Sequence, residues 1–323
     1  MMPPFVRVLL ATSLLAGCSS SSSATPEGLG GASAGGEAGS TSNAGASGSL
    51  PLTGTIRLSL KAANETTMAK AFSVAGGTVY DGPVPEAFPL AVALEEPGCR
   101  LLKPKLPFCS SGCGGDAACV DDETCAAYPK AQNVGILRLE GLGSAPVTMD
   151  PFPPSFAYQS QALPHPPCVE GESVRLSADG FGVATPCIAP LIVVNTDFAV
   201  TRGQPLELGW EAPTQADQTR LLIKLDVSHH GGKKGEIDCD VPDTGMFEIP
   251  ASLVTALVDL GLAGYPTIVL TRSASASSSD QPAVNFAVSS GIEREVDTGI
   301  TSCTEDAHCP TEQRCNTDKL VCE

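Results

Sequence analysis

Two stretches of this chain repeat a cysteine spacing, and that spacing limits how the polypeptide can be ordered. Cys113-Gly114-Gly115-Asp116-Ala117-Ala118-Cys119-Val120-Asp121-Asp122-Glu123-Thr124-Cys125 reads C-x2-D-A-x-C-x5-C. Cys303-Thr304-Glu305-Asp306-Ala307-His308-Cys309-Pro310-Thr311-Glu312-Gln313-Arg314-Cys315 reads the same way. Identical intervals with a matching Asp-Ala mark an internal repeat. The second copy is completed by Cys322 and has almost no apolar residues, so disulfides must supply its order. Its cysteines permit several pairings, and spacing does not choose among them. The first copy lacks a cysteine at the matching downstream distance and has Cys109 and Cys99 upstream instead. Cys168, Cys187 and Cys239 remain, and with Cys99 they suffice for two further bridges. Zinc sites usually show C-x2–4-C pairs. Only Cys109-x3-Cys113 fits that rule, so no metal site is expected.

The start of the chain says where such bridges could form. One positive charge, Arg7, precedes a short apolar run, Val8 to Ala16. Small residues then lead to Cys18. This is the layout of a secretory signal, and the run is shorter than the roughly 20 residues a spanning helix needs. Leu15-Ala16-Gly17-Cys18 resembles the bacterial lipobox. That resemblance implies cleavage before Cys18, a diacylglycerol on its thiol and an acylated new amino terminus. Ser19, rather than Asp, follows the cysteine, which by the same resemblance favours the outer membrane. Two or three acyl chains anchor stably, since each buried CH₂ contributes about 0.8 kcal/mol. Of 13 cysteines, the lipidated one leaves an even set for pairing in an oxidising compartment.

Residues 19–50 are almost entirely Ser, Gly, Ala, Thr and Asn. Such a composition cannot bury enough apolar surface to offset its ordering entropy, so it is expected to be a disordered tether. Its reach is about 30 Å by flexible-chain scaling. Removing residues 1–17 takes away Arg7 and leaves 18 basic residues against 36 acidic ones, a net charge of −18. An acidic surface of that size repels nucleic acid, which is excluded as a partner.

Thr55-Ile56-Arg57-Leu58-Ser59-Leu60-Lys61 alternates apolar and polar residues, the period of a half-buried strand. Similar runs at 71–80, 88–94, 134–139, 146–149, 155–159 and 173–176 are separated by turn residues. A second set lies at 190–194, 205–210, 219–227, 234–239, 246–249, 267–271 and 284–288. Short strands at this spacing suggest an antiparallel sandwich or open barrel. One helix is expected after Pro250, with Leu253, Val254, Leu257 and Val258 as its apolar stripe and Gly261 or Gly264 closing it. Leu206 to Pro213, with Trp210, resembles the strand-B signature of fibronectin-type and immunoglobulin-like sandwiches. The resemblance implies that Trp210 is a core residue and that Thr219–Val227 is the following strand.

The expected class is therefore mainly β: two antiparallel β-sandwich-like domains with small disulfide-rich modules and a disordered N-terminal tether. The expected divisions are a signal peptide (1–17), a lipidated tether (18–52) and a first β domain (53–187) with a cysteine-rich insertion near 99–125. An Ig/fibronectin-like sandwich (188–298) and a C-terminal disulfide-rich module (299–323) follow.

Candidate chemistry is sparse. His229-His230 lies near Asp226, Asp238, Asp240 and Asp243, and the glycines after it suggest an exposed hairpin loop. Adjacent histidines on a strand point to opposite faces, so a shared metal would require a loop. Asp238-x-Asp240-x2-Asp243-x-Gly245 lacks the order of a calcium loop and reads as a turn with Asx hydrogen bonds. No G-x-S-x-G elbow or phosphate-binding loop is present. No catalytic residue, metal or cofactor is expected.

The lipobox, Ser/Gly tether, β domains and terminal cysteine module together resemble the cysteine-rich surface lipoproteins of myxobacteria. The resemblance implies a non-enzymatic structural, adhesion or envelope-interaction role at the outer membrane, facing periplasm or exterior. The partners expected are the membrane, through the lipid, and an unknown protein or surface glycan. A carbohydrate- or peptide-binding lipoprotein is the alternative, and a metal-dependent hydrolase around His229 and His230 is a further one. If disulfides order this chain, its melting temperature should fall sharply under reducing conditions, as differential scanning fluorimetry with and without reductant will show.

Overall fold

The computed structural model describes residues 52–323 apart from 64–67, 87, 196, 231, 263, 280–281, 300, 302, 318–320 and 323, and apart from the side chains of 229, 230 and 264. The expected signal, Cys18 and almost all of the tether lie outside the described residues.

The chain is mainly β, as its alternation suggests. Its first strands are β1 (Thr53–Lys61), β2 (Phe72–Tyr80), β3 (Leu90–Glu96) and β4 (Cys99–Pro104). A hairpin of β5 (Ala117–Asp121) and β6 (Thr124–Ala127) follows, then β7 (Leu137–Glu140), β8 (Val147–Met149) and β9 (Tyr158–Gln159). Next come β10 (Ser173–Ala178), β11 (Phe181–Pro186), β12 (Leu206–Gly209), β13 (Arg220–His230), β14 (Glu236–Pro242) and β15 (Met246–Ile249). Helix α1 (Ala251–Val258) precedes β16 (Gly264–Ser277) and β17 (Ala283–Glu295), and β18 (Cys315–Asn316) and β19 (Val321–Cys322) end the chain.

One sheet organises the rest. Its nine strands run β3-β4-β14-β13-β16-β17-β1-β2-β9. Its neighbours are antiparallel except β1 and β17, which pair in parallel from Thr53↔Ala283 to Leu60↔Ser290. One face of this sheet is apolar. Leu221, Ile223 and Leu225 on β13 stand beside Ile268 and Leu270 on β16. Further along, Ala274, Val288, Phe286, Ile56 and Leu58 continue the same face.

Two second layers cover that face, each with its own core. The sheet β11-β10-β7-β8 brings Leu137, Leu139, Val174, Leu176 and Phe181 against Ile56, Leu58, Phe286 and Val288. The β12–β15 pair and α1 bring Leu206, Leu208, Ile249, Leu253 and Leu257 against Leu221, Ile223, Ile268 and Leu270. Helix α1 begins after Pro250 and buries the expected stripe of Leu253, Val254, Leu257 and Val258. The division expected at residue 187 separates the two covering layers in sequence. It does not divide the large sheet, because β1 and β2 pair into the same sheet as β13–β17. Likewise Cys99 and Leu101 of β4 pack in the second core, and Ala274 and Phe286 pack in the first.

The seam between the cores is polar. Arg272 faces inward on β16 between Leu270 and Ala274 and is 1% exposed. Its Nε donates to Asp243 Oδ2 at 2.6 Å, and its Nη2 donates to Asp243 Oδ1 at 3.2 Å. Nη1 donates to the carbonyls of Ala189 and Pro190, and Nη2 to that of Glu211. Asp243 also accepts from Trp210 Nε1 at 2.6 Å and from Thr219 Oγ1 at 2.9 Å. Trp210 is the core residue its signature implied. Gly245, at φ +96°, makes the turn that follows Asp243, and its carbonyl accepts from the Trp210 amide. A non-glycine side chain there would be strained in this left-handed conformation and would crowd Ala212.

The twelve cysteines after Cys18 form six disulfides. Cys113–Cys125 and Cys303–Cys315 are equivalent, joining the first and third cysteines of each repeat. The middle cysteine differs: Cys119 pairs upstream with Cys109, and Cys309 pairs downstream with Cys322. Cys99–Cys239 links paired residues of β4 and β14, and Cys168–Cys187 closes the first core. The disulfide-rich insertion therefore starts after β4 rather than at Cys99. Cys99-Arg100-Leu101 alternates inward, outward, inward as a sheet strand.

Asp243→Ala would leave the buried Arg272 guanidinium without its counterion, a loss of about 3–5 kcal/mol. Urea unfolding followed by Trp210 fluorescence should show a midpoint lowered accordingly.

Candidate functional site

The opposite face of the large sheet carries no covering layer among the described residues. Strand alternation places polar and small side chains there. Glu293, Val269, Lys224, Asp238, Arg100 and Glu95 stand in register across six strands. Next to this row a groove of about 700 Å³ is lined by Arg100, Leu222, Lys224, Asp238, Asp240 and Thr271 among others. It continues past Leu222 and Thr271 into a smaller hollow beside Arg57, Ser59, Lys61 and Gly291. Gly291 keeps this floor low, since a Cβ there would press on Thr271 Oγ1.

Most charges on this face already have partners. Lys224 Nζ lies 2.7 Å from Glu236 Oε2, and Lys233 Nζ lies 3.3 Å from the same oxygen. Arg220 Nε lies 2.7 Å from Asp240 Oδ1. Burial opposes the Lys224 charge most strongly, but the hydrogen bond it donates to Glu236, together with the charges of Glu236, Asp226 and Asp238, outweighs burial and holds this lysine above its ordinary pKa. Burial raises the Asp238 pKa, and the neighbouring Glu236 charge adds to the rise against Lys224 and Arg100. Among the described residues, Arg57, Lys61 and Arg100 line this face without an ion pair, and it presents no nucleophile with an attached base.

The acidic residues near His229 do not converge. Asp226 is buried, and its Oδ1 accepts from the Ser228 amide and hydroxyl at 2.7 and 2.9 Å. Asp238 and Asp240 are strand residues on the outer face, while Asp243 belongs to the inner seam. The turn read over 238–245 is thus confined to the residues after β14. His229 and His230 are strand residues, paired with Tyr265 and Gly264, where a loop had been expected. The long β13–β16 ladder carries the backbone through the bulge after Asp226 and keeps it extended.

The fold also joins residues that the sequence did not bring together. Ser73 Oγ lies 3.4 Å from His165 Nδ1. Ser73 is fully buried on β2, with its backbone paired to Leu163, so this hydroxyl cannot reach a substrate. Among the described residues no carboxylate bonds His165. In each cysteine module three sulfurs lie within 4.8 Å of one another, the grouping a metal would need. All of them belong to disulfides, which lack the thiolate that binds zinc.

Compared with known protein families and with curated proteins, the chain matches none.

A group whose pKa is raised in the folded state stabilises below its unfolded value and loses that contribution as pH rises through the folded one. Asp238 is such a group, so its contribution should grow as pH falls from its raised folded value toward the ordinary aspartate value of about 4, and be complete below it. Asp238→Asn should remove that part of the pH dependence, which melting temperatures of both proteins across mildly acidic pH will reveal.

Proposed function

We propose that this chain is a lipid-anchored extracytoplasmic protein whose β body makes structural, adhesive or envelope contacts rather than performing catalysis. The observation that carries the reading is the pairing of every cysteine after Cys18 into disulfides. Disulfides of this number persist in oxidising compartments. The lipobox-like Leu15-Ala16-Gly17-Cys18 supplies an address of that kind, with the outer membrane favoured by Ser19. The Ser/Gly-rich stretch would set the body away from the lipid.

The best-buried ionic groups support the non-catalytic reading, since Arg272 and Asp243 are spent on the seam and Asp226 on Ser228. A ligand-binding role is the second reading, favoured by the open groove over Leu222 and Lys224. With only 5% aromatic residues in the chain, a peptide suits it better than a sugar. The hydrolase reading has no converging set of ligands behind it among the described residues.

Cys18→Ala should move the protein from the membrane fraction to the soluble fraction of cells expressing it, as fractionation and immunoblotting will record. Retention of the variant in the membrane would refute the anchor.

A further inference from the structure

The small sheet over the second core carries a feature that its structural duties do not explain. Glu207 on β12 and Glu248 on β15 stand directly opposite each other, and both are exposed. Like charges in that position weaken a strand pair. Among the described residues neither has an ion-pair partner. One step along the same face, Gly209 pairs with Met246, and the Val194 amide donates to the Gly209 carbonyl at 2.9 Å. Gly209 is thus a notch between two apolar side chains, Val194 at 65% and Met246 at 74% exposure.

A groove of about 840 Å³ runs over these residues, with Asp197 also in its lining and no lysine or arginine. Val194, Gly209 and Met246 give it an apolar stretch beside Asn195, and all the formal charge among its lining residues is negative. Alternate residues of an extended chain are spaced about 6.8 Å apart, and so are the glycine notch and the Glu207–Glu248 pair along their strands.

We infer that this groove docks an extended segment of a partner polypeptide whose apolar side chain enters the Gly209 notch while a basic side chain two residues along meets the Glu207–Glu248 pair. The inference rests on the reading of the chain as a binding protein and names the chemistry of its partner. The carboxylate pair costs the free protein some stability, and a bound cation would reverse that cost. Binding in solution does not involve Cys18, so failure of this inference and failure of the membrane anchor are separate results.

The test uses the full lipidated chain in detergent micelles and the nonapeptide Lys-Ser-Lys-Ser-Leu-Ser-Lys-Ser-Lys, whose symmetry serves either strand direction. A fluorescein on the peptide's amino terminus reports occupancy by its anisotropy, because Trp210, the only tryptophan, is 3% exposed and points into the core. The expected result is saturable binding that weakens with salt and is absent for the peptide with glutamate in place of lysine. Glu248→Lys should weaken binding about fivefold or more, yet leave the melting temperature equal or higher, because it converts a repulsive cross-strand pair into an attractive one. Gly209→Val should fill the notch and also weaken binding, since a Cβ at Gly209 meets only ordinary contacts, at 3.5 and 3.9 Å. Glu172→Lys, an exposed charge reversal elsewhere, should leave binding unchanged. Equal binding of the acidic peptide, equal weakening by Glu172→Lys, no binding at all, or unchanged binding in Glu248→Lys would each overturn the inference.

Discussion

The fold depends on one buried ion pair. Arg272 and Asp243 sit where two apolar cores adjoin on one sheet, and neither is accessible to water. A guanidinium in that position is tolerable only if its donors are satisfied, and here they are. The carboxylate takes two of its bonds, and the carbonyls of Ala189, Pro190 and Glu211 take others. Those carbonyls belong to the chain leaving the first covering layer and to the chain after Trp210. The pair therefore fixes the inner ends of both covering layers to the same strand. Apolar packing holds each core, whereas the directional bonds of Arg272 set the position of one layer beside the other.

Much of the architecture was legible because strand alternation survives in the sequence. Ile56-Arg57-Leu58-Ser59-Leu60 and Leu221-Leu222-Ile223-Lys224-Leu225 place alternate residues inward, as their pattern requires. The apolar stripe after Pro250 likewise forms the expected helix. Other elements left weak signals. Arg272 to Ser277 is built of Ser and Ala around a buried arginine, with no apolar alternation to mark a strand. It is held extended by its ladder with β17, from Arg272↔Ser290 to Ser277↔Asn285. Residues 190–194, read as a strand, instead lie along β12 through isolated bonds such as Val194 to Gly209.

The site was less legible than the fold, for a simple reason. Every informative contact joins segments remote in sequence. Trp210 could be read as a core residue from its own neighbours, but nothing local names Asp243 as its acceptor. Glu207 and Glu248 each read as the solvent-facing residue of a strand, and only their register makes them opposed charges. The cysteine repeat was visible at once, while its pairing was not. The two copies share the bridge between first and third cysteines and differ in the direction of the middle one, which no spacing rule distinguishes.

The parallel seat of β1 has a mechanical meaning. The described chain enters the large sheet at Thr53, and β1 is bonded along its length to β17 on one side and β2 on the other. A pull on the preceding chain along that strand would load both ladders in shear, so many hydrogen bonds would share the force. An edge strand pulled crosswise would instead peel open one bond at a time. Placing the entering strand inside the sheet lets the body resist a pull on the chain that precedes it.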